Sequence, residues 1–271
     1  MEVNMQISLD RFPGGKLKAL TMSYDDGVHD DIRLTQIFNK YGIKGTFHIN
    51  AGLFGEDSWS RLSESEIKKV YEGHEISAHG YTHQALAAIP DEGIISEVMR
   101  DREKLEEITK EPIRGMSYAF GSMNSSVANM LRMLGVEYCR MVQTTGGFGL
   151  PDDFLQWQGT CHHNDNLLAY GDKFLSQNRY QLMYVWGHSY EFDNDNNWEL
   201  IEEFCEKMGG RDDIWYATNI EICDYVKAIR ALRFTVKQDV VLNQSASDVW
   251  ISVDGNPVEI KSGETVQLSK L

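Results

Sequence analysis

Apolar and polar positions alternate over residues 3–9, as in an edge strand, and Pro13-Gly14-Gly15 then makes a turn. Residues 19–23 read as a strand that ends at Asp25-Asp26-Gly27. Asp30 or Asp31 can cap a helix whose apolar face carries Ile32, Ile37 and Phe38, and Gly42 stops it. Residues 46–50 form the next predicted strand. Ser63-Glu64-Ser65-Glu66 fits a capping box ahead of Ile67 and Val70, and Gly73 ends that helix. Residues 75–78 make a short strand that runs into His79 and His83. A longer helix follows, with Ile94, Ile95, Val98, Leu105 and Ile108 as its buried face and its charged residues as a solvated face.

Later segments repeat the rhythm. Strands are predicted at 115–118, 137–141, 181–186 and 214–217, and helices at 126–134, 197–208 and 219–229. Strand–helix alternation of this kind gives parallel βαβ units and an α/β fold. After Leu232 the helical period disappears. Residues 250–260 read as a hairpin, with Asp254-Gly255 as its turn. The chain therefore divides into a main unit, residues 1–232, and a small β-appendage, residues 233–271.

With 271 residues, the chain is long enough for one sizeable α/β domain plus such an appendage. Its formal net charge of −15 offers no footprint for phosphate backbones or anionic membranes, so nucleic acid and membrane are discounted as partners. A neutral or cationic substrate is tolerated. Cys139, Cys161, Cys205 and Cys223 are scattered, without a C-x-x-C pair, and read as reduced and mostly buried. No signal peptide or spanning run is visible, which makes a cytoplasmic location the default expectation and a trimmed secreted chain the alternative.

The candidate chemistry lies just after predicted strands, where barrels and open α/β sheets place their sites. An Asp-Asp-Gly alone is an ordinary solvated turn or helix cap, and two histidines four apart are ordinary surface residues. Together they are more specific. One carboxylate and two imidazoles can hold a divalent cation, and a second carboxylate stays free as a base. No Glu follows His79, so the H-E-x-x-H arrangement is absent and Asp25 is the available base. The set reads as a metal-dependent hydrolase.

The joint pattern comprises Thr21-Met-Ser-Tyr-Asp-Asp-Gly27, Lys44-Gly-Thr-Phe-His-Ile-Asn50 and Gly73-His-Glu-Ile-Ser-Ala-His-Gly-Tyr-Thr-His83. It resembles the polysaccharide deacetylases of carbohydrate esterase family 4, the NodB homology domain, over residues 15 to 230. The resemblance implies a distorted (β/α)7 barrel with a short β-extension. It implies Asp26, His79 and His83 as ligands of a divalent metal, usually zinc, and Asp25 as general base. His188, after the apolar run 182–186, matches the family's L-x-H motif and is the implied acid, with Trp186 where Leu is usual. Arg114 is expected to orient Asp25, with Asp153 as its own possible partner, and the Phe120 N–H to face the oxyanion, although the spacing departs from the family's R-x-P-Y-G. Tyr118, Trp157 and Trp186 are expected to line the substrate pocket. His162 and His163 can line the cleft, while His48 and His74 are assigned to the scaffold. Gln84 replaces the family's Pro, which points to a looser loop around His83.

The implied function is removal of acetyl groups from an N- or O-acetylated poly- or oligosaccharide, which is then the expected partner. Two alternatives stay open: an allantoinase-type cyclic-amide hydrolase on the same scaffold, and an inactive carbohydrate-binding relative.

Overall fold

A computed structural model describes residues 5–270. The first residues of the predicted 3–9 strand lie outside that range. What is described of it is the pair Ile7–Ser8 (β1).

Nine parallel strands make the centre: β2 (Lys18–Asp25), β3 (Gly45–Ile49), β4 (Glu75–Ala78), β5 (Gly115–Ser117), β6 (Tyr138–Thr144), β7 (Trp157–Gly159), β8 (Cys161–His162), β9 (Gln181–Gly187) and β10 (Ile214–Tyr216). Their order is β7-β6-β5-β4-β3-β2-β9-β8, with β10 also on β2. Strand β2 is central because it serves three neighbours. β9 runs along one edge from Lys18 to Tyr24, while β10 takes Lys18–Leu20 and β3 takes Met22–Asp25 on the other. All eight of its residues are buried, with Lys18, Thr21, Ser23 and Asp25 among them, so both faces of the strand are covered. The predicted strand cores at 19–23, 46–50, 75–78, 115–118, 137–141, 181–186 and 214–217 all form.

Helices pack between the strands. Ser63 and Glu66 make the predicted capping box of Glu64–Val70. Asp31 does not cap the first helix. It is buried within it and accepts hydrogen bonds from Tyr71 (2.6 Å) and Ser189 (2.6 Å). The helix Asp91–Thr109 corrects a second expectation. Glu97 and Asp101 belong to its buried face beside Ile94, Val98 and Leu105, whereas Ile95 is exposed. Both carboxylates hold the loops that carry the site.

After the last helix, Asn219–Arg230, the short strands β11 (Arg233–Phe234), β12 (Val240–Leu242), β13 (Val249–Val253), β14 (Asn256–Ile260) and β15 (Thr265–Gln267) form two small antiparallel sheets. Asp254 and Gly255 turn the β13–β14 hairpin with φ of 49° and 82°, the left-handed pair a two-residue turn needs. β13 pairs with β1, and Val249, Ile251 and Ile260 share an apolar cluster with Phe12, Trp157 and Tyr225. The appendage is thus sealed onto the main unit by a common core. All four cysteines are buried and free.

Candidate active site

The C-terminal ends of β2, β4, β5, β6 and β9 converge on a cleft of about 510 Å³. Asp25 ends β2, and Asp26 follows with φ of 87°, a left-handed value that costs a non-glycine residue energy and is seen where surroundings hold it. Two groups do so here. The Asp26 N–H donates to His48 O (2.9 Å), and Arg61 Nη1 donates to the Asp26 carbonyl, to Asp26 Oδ1 (3.2 Å) and to Asn50 Oδ1 (3.1 Å).

His79 and His83 face Asp26 from the loop after β4. Their Nε2 atoms are 3.1 Å apart and lie 3.9 and 3.7 Å from Asp26 Oδ1. A tetrahedral centre with metal–nitrogen bonds of about 2.05 Å separates its ligand atoms by about 3.3 Å. The three residues therefore fit a divalent cation. Burial, then the neighbouring His79, pushes the His83 imidazolium down to about 4, which leaves the ring neutral, as a ligand must be. His79 Nδ1 is 3.0 Å from Ser117 O and 2.7 Å from Ser117 Oγ, so a proton placed on Nδ1 leaves the Nε2 lone pair for the cation.

The loop between the histidines is anchored despite Gln84. Asp101 accepts the N–H groups of Ala51 (2.7 Å) and His79 (2.9 Å), and Glu97 accepts the Thr82 N–H (2.8 Å) and hydroxyl (2.6 Å). The signal was in the sequence: Glu97 and Asp101 fall on the same helical stripe as Ile94, Val98 and Leu105.

Asp25 is buried and receives a hydrogen bond from Arg140 Nη2 and another from Ser117 Oγ (3.1 Å). Burial alone would raise its pKa, but the Arg140 guanidinium and then His79 hold it well below the usual carboxylate range. Arg140 comes from β6, is fully buried, and stacks under Trp186 with its guanidinium carbon 4.3 Å from the ring. Arg114, the expected partner, does not reach Asp25. It sits at the other end of the sheet, paired with Asp224 (2.7 Å) and Glu137 (3.2 Å). Asp153 pairs with Arg132 (2.9 Å) rather than with Arg114.

On the opposite wall His188 turns Nε2 towards Asp26 Oδ2 (4.0 Å) and Nδ1 towards Glu191 Oε1 (3.3 Å). Burial alone would lower its pKa. The Glu191 hydrogen bond, and then the charges of Asp25 and Asp26, raise it above the ordinary histidine value. Sequence reasoning missed Glu191, although it stands three residues after His188 at the start of the helix Tyr190–Asn194.

Phe120 stands at the cleft mouth, 70% exposed, with its ring centroid 4.5 Å from that of His83. It lies in the single turn Ala119–Gly121, whose opening N–H groups have no partner within the turn. Tyr118 and Trp186 line the cleft, though the Tyr118 hydroxyl is engaged by Leu155 O (2.8 Å). Trp157 does not line it. It is buried against Tyr138, Phe154 and Tyr184, in the core shared with the appendage. His48 is buried against Ser23 Oγ (2.9 Å) and belongs to the strand interior.

Residues 14–139 match the family model for polysaccharide deacetylase. The chain has the NodB-type polysaccharide deacetylase fold. A protein of Mycobacterium smegmatis assigned to the polysaccharide deacetylases superposes with a TM-score of 0.61 at 18% identity, over 82% of this chain and 94% of that one. Two proteins of Arthroderma benhamiae are similar in sequence. One, named as a peptidoglycan-N-acetylglucosamine deacetylase, is 34% identical over 33% of this chain and 20% of its own length. The other, a chitin deacetylase, is 35% identical over 35% of this chain and 24% of its own. The chain thus spans about a fifth to a quarter of these curated relatives. The deacetylase match itself ends at Cys139, so the placement of Arg140, Trp186, His188 and Glu191 rests on geometry. No helix among the described residues is long and apolar enough to cross a membrane.

Proposed function

We propose that this chain hydrolyses acetyl groups from an N- or O-acetylated oligo- or polysaccharide, and that it needs a divalent cation, expected to be zinc, at Asp26, His79 and His83. The observation that carries this reading is the convergence of two imidazole Nε2 atoms, 3.1 Å apart, on one carboxylate, with a second carboxylate paired to a buried arginine beside them. A cation held there supplies Lewis acidity, polarising the acyl carbonyl and lowering the proton affinity of a water.

Asp25 accepts the proton of the attacking water. Its pairing with Arg140 keeps it ionised and therefore able to accept that proton. Arg140, clamped between Trp186 and Asp25, is a positioning residue for that base. The Phe120 N–H is the candidate donor to the oxyanion. His188, held protonated by Glu191, delivers a proton to the departing amine or alkoxide as the C–N or C–O bond breaks, leaving acetate. Phe120 at the rim gives a sugar ring an apolar face to stack on.

The test is acetate release from N-acetylglucosamine oligomers, N-acetylated peptidoglycan fragments and acetylated xylan. Release from the first two alone assigns an amidase, and release from xylan an esterase. Ring opening of a cyclic amide without acetate release overturns the reading in favour of the allantoinase type.

A further inference from the structure

The strands that carry the candidate cation ligands are not neighbours. Asp26 follows β2 and His79 follows β4, with β3 between them in the sheet. β3 gives the site no ligand, but Asn50, the residue after its end, reaches both sides. Its Nδ2 donates to His79 O (2.9 Å) and to Gly80 O (2.7 Å). Its Oδ1 accepts from Arg61 Nη1 (3.1 Å). The same arginine nitrogen donates to the Asp26 carbonyl and to Asp26 Oδ1 (3.2 Å). Carbonyls facing one end of the amide and a guanidinium facing the other fix which end is nitrogen. Asn50 and Arg61 are both buried.

The two residues thus link the halves of the site that a cation needs in register. On the Asp26 side, Arg61 engages both the carbonyl and the carboxylate of a residue at a left-handed φ of 87°. On the other side, the His79 N–H is taken by Asp101 (2.9 Å) and Ile49 O (3.0 Å), and Asn50 takes the C=O. Arg61 is itself placed by backbone contacts that do not involve its side chain. It bridges Val28 in antiparallel fashion, and the Leu62 N–H donates to Gly27 O (2.9 Å). We propose that Asn50 and Arg61 are positioning residues that preset the spacing between Asp26 and His79, and so set the chain's affinity for a divalent cation. Neither is a ligand. Both act through the ligands they hold. The inference rests on the cation reading above and deepens it.

The test measures zinc affinity of the full chain by competition with a chromophoric chelator, with circular dichroism to confirm that each variant is folded. Asn50→Ala removes the link without changing charge. Arg61→Lys keeps the charge on a donor of different shape, so a change in affinity reads geometry. Asn243→Ala is the control. Asn243 is also buried and also donates to two backbone carbonyls, Ser247 O (2.8 Å) and Ile260 O (3.0 Å), but in the appendage. The expected result is a loss of about 10- to 100-fold in Asn50→Ala, a loss in the same direction in Arg61→Lys, and wild-type affinity in Asn243→Ala. Wild-type affinity in folded Asn50→Ala would overturn the proposal. Should that variant not fold, wild-type affinity in Arg61→Lys would do the same. An equal loss in Asn243→Ala would also overturn it, because the effect would then be general destabilisation. A wild type that binds no zinc would overturn the cation reading and this inference with it, whereas the other contrary results overturn this inference alone.

Discussion

Two cavities open at opposite ends of the parallel sheet, and the smaller one holds the candidate site. The larger, about 1020 Å³, lies at the N-terminal ends of β3, β4 and β5 and is lined by Lys44, His74, Glu75 and Arg114. The cleft at the C-terminal ends is about 510 Å³. Both contain histidine, arginine and carboxylates. In the larger cavity the main charges are already matched: Arg114 with Asp224 and Glu137, Lys44 with Glu221 (2.6 Å). Glu75 accepts from Tyr138 (2.6 Å), Thr46 (2.9 Å) and the Ile220 N–H (2.9 Å). In the smaller cleft the Nε2 atoms of His79 and His83 face each other at 3.1 Å and converge on the Asp26 carboxylate. The convergence of two imidazoles on one carboxylate, rather than volume, separates the candidate site from the larger cavity.

Substitutions can break this comparison. The largest effect is expected for Asp25→Asn, which should lower kcat for acetate release by about 10³-fold, within the range for loss of a general base. Zinc affinity should change far less. Next come the two arginines. Arg140→Ala should cost about 10²-fold in kcat/KM, because Asp25 loses its partner, whereas Arg114→Ala in the larger cavity should stay within about threefold. Equal losses for the two would erase the distinction between the cavities.

A smaller effect is a shift along the pH axis. Glu191 raises the pKa of His188, so the protonated acid persists to higher pH. Glu191→Gln should move the alkaline limb of the kcat/KM profile to lower pH, and an unmoved limb would argue against His188 as the acid. The smallest effect concerns stability. Burial pushes the Asp31 carboxyl up to about 7. Between about 4 and 7 the folded chain keeps a proton that the unfolded chain has lost, so this group's contribution to stability falls as pH rises through that window. Asp31→Asn should flatten that part of the urea-denaturation profile.

Much of this was legible in the sequence. The strand cores are apolar runs bounded by turn residues, and the Asp-Asp and His-x-x-x-His pairs sit at strand ends that a parallel sheet brings together. Arg114 misled because a motif's spacing says nothing about which strand faces the site. β5 ends at Ser117, which reaches Asp25, while Arg114 lies before the strand begins, at the far end of the sheet. Arg140 could have been suspected, since a lone arginine in the apolar strand Tyr138-Cys139-Arg140-Met141 needs a buried counter-charge. Arg61 could not. Its contact with Asp26 depends on how the loop 51–62 folds back, and no local periodicity encodes that. The strands β7 and β8 were also missed, being two or three residues long with too little pattern to read.

The most direct test is acetate release from N-acetylglucosamine oligomers by chelator-treated protein to which zinc is returned, beside His79→Ala/His83→Ala treated the same way. The account predicts that the wild type loses activity with the metal and regains it with zinc, while the variant never does. Release that is indifferent to chelator, or restored equally in both proteins, would contradict it.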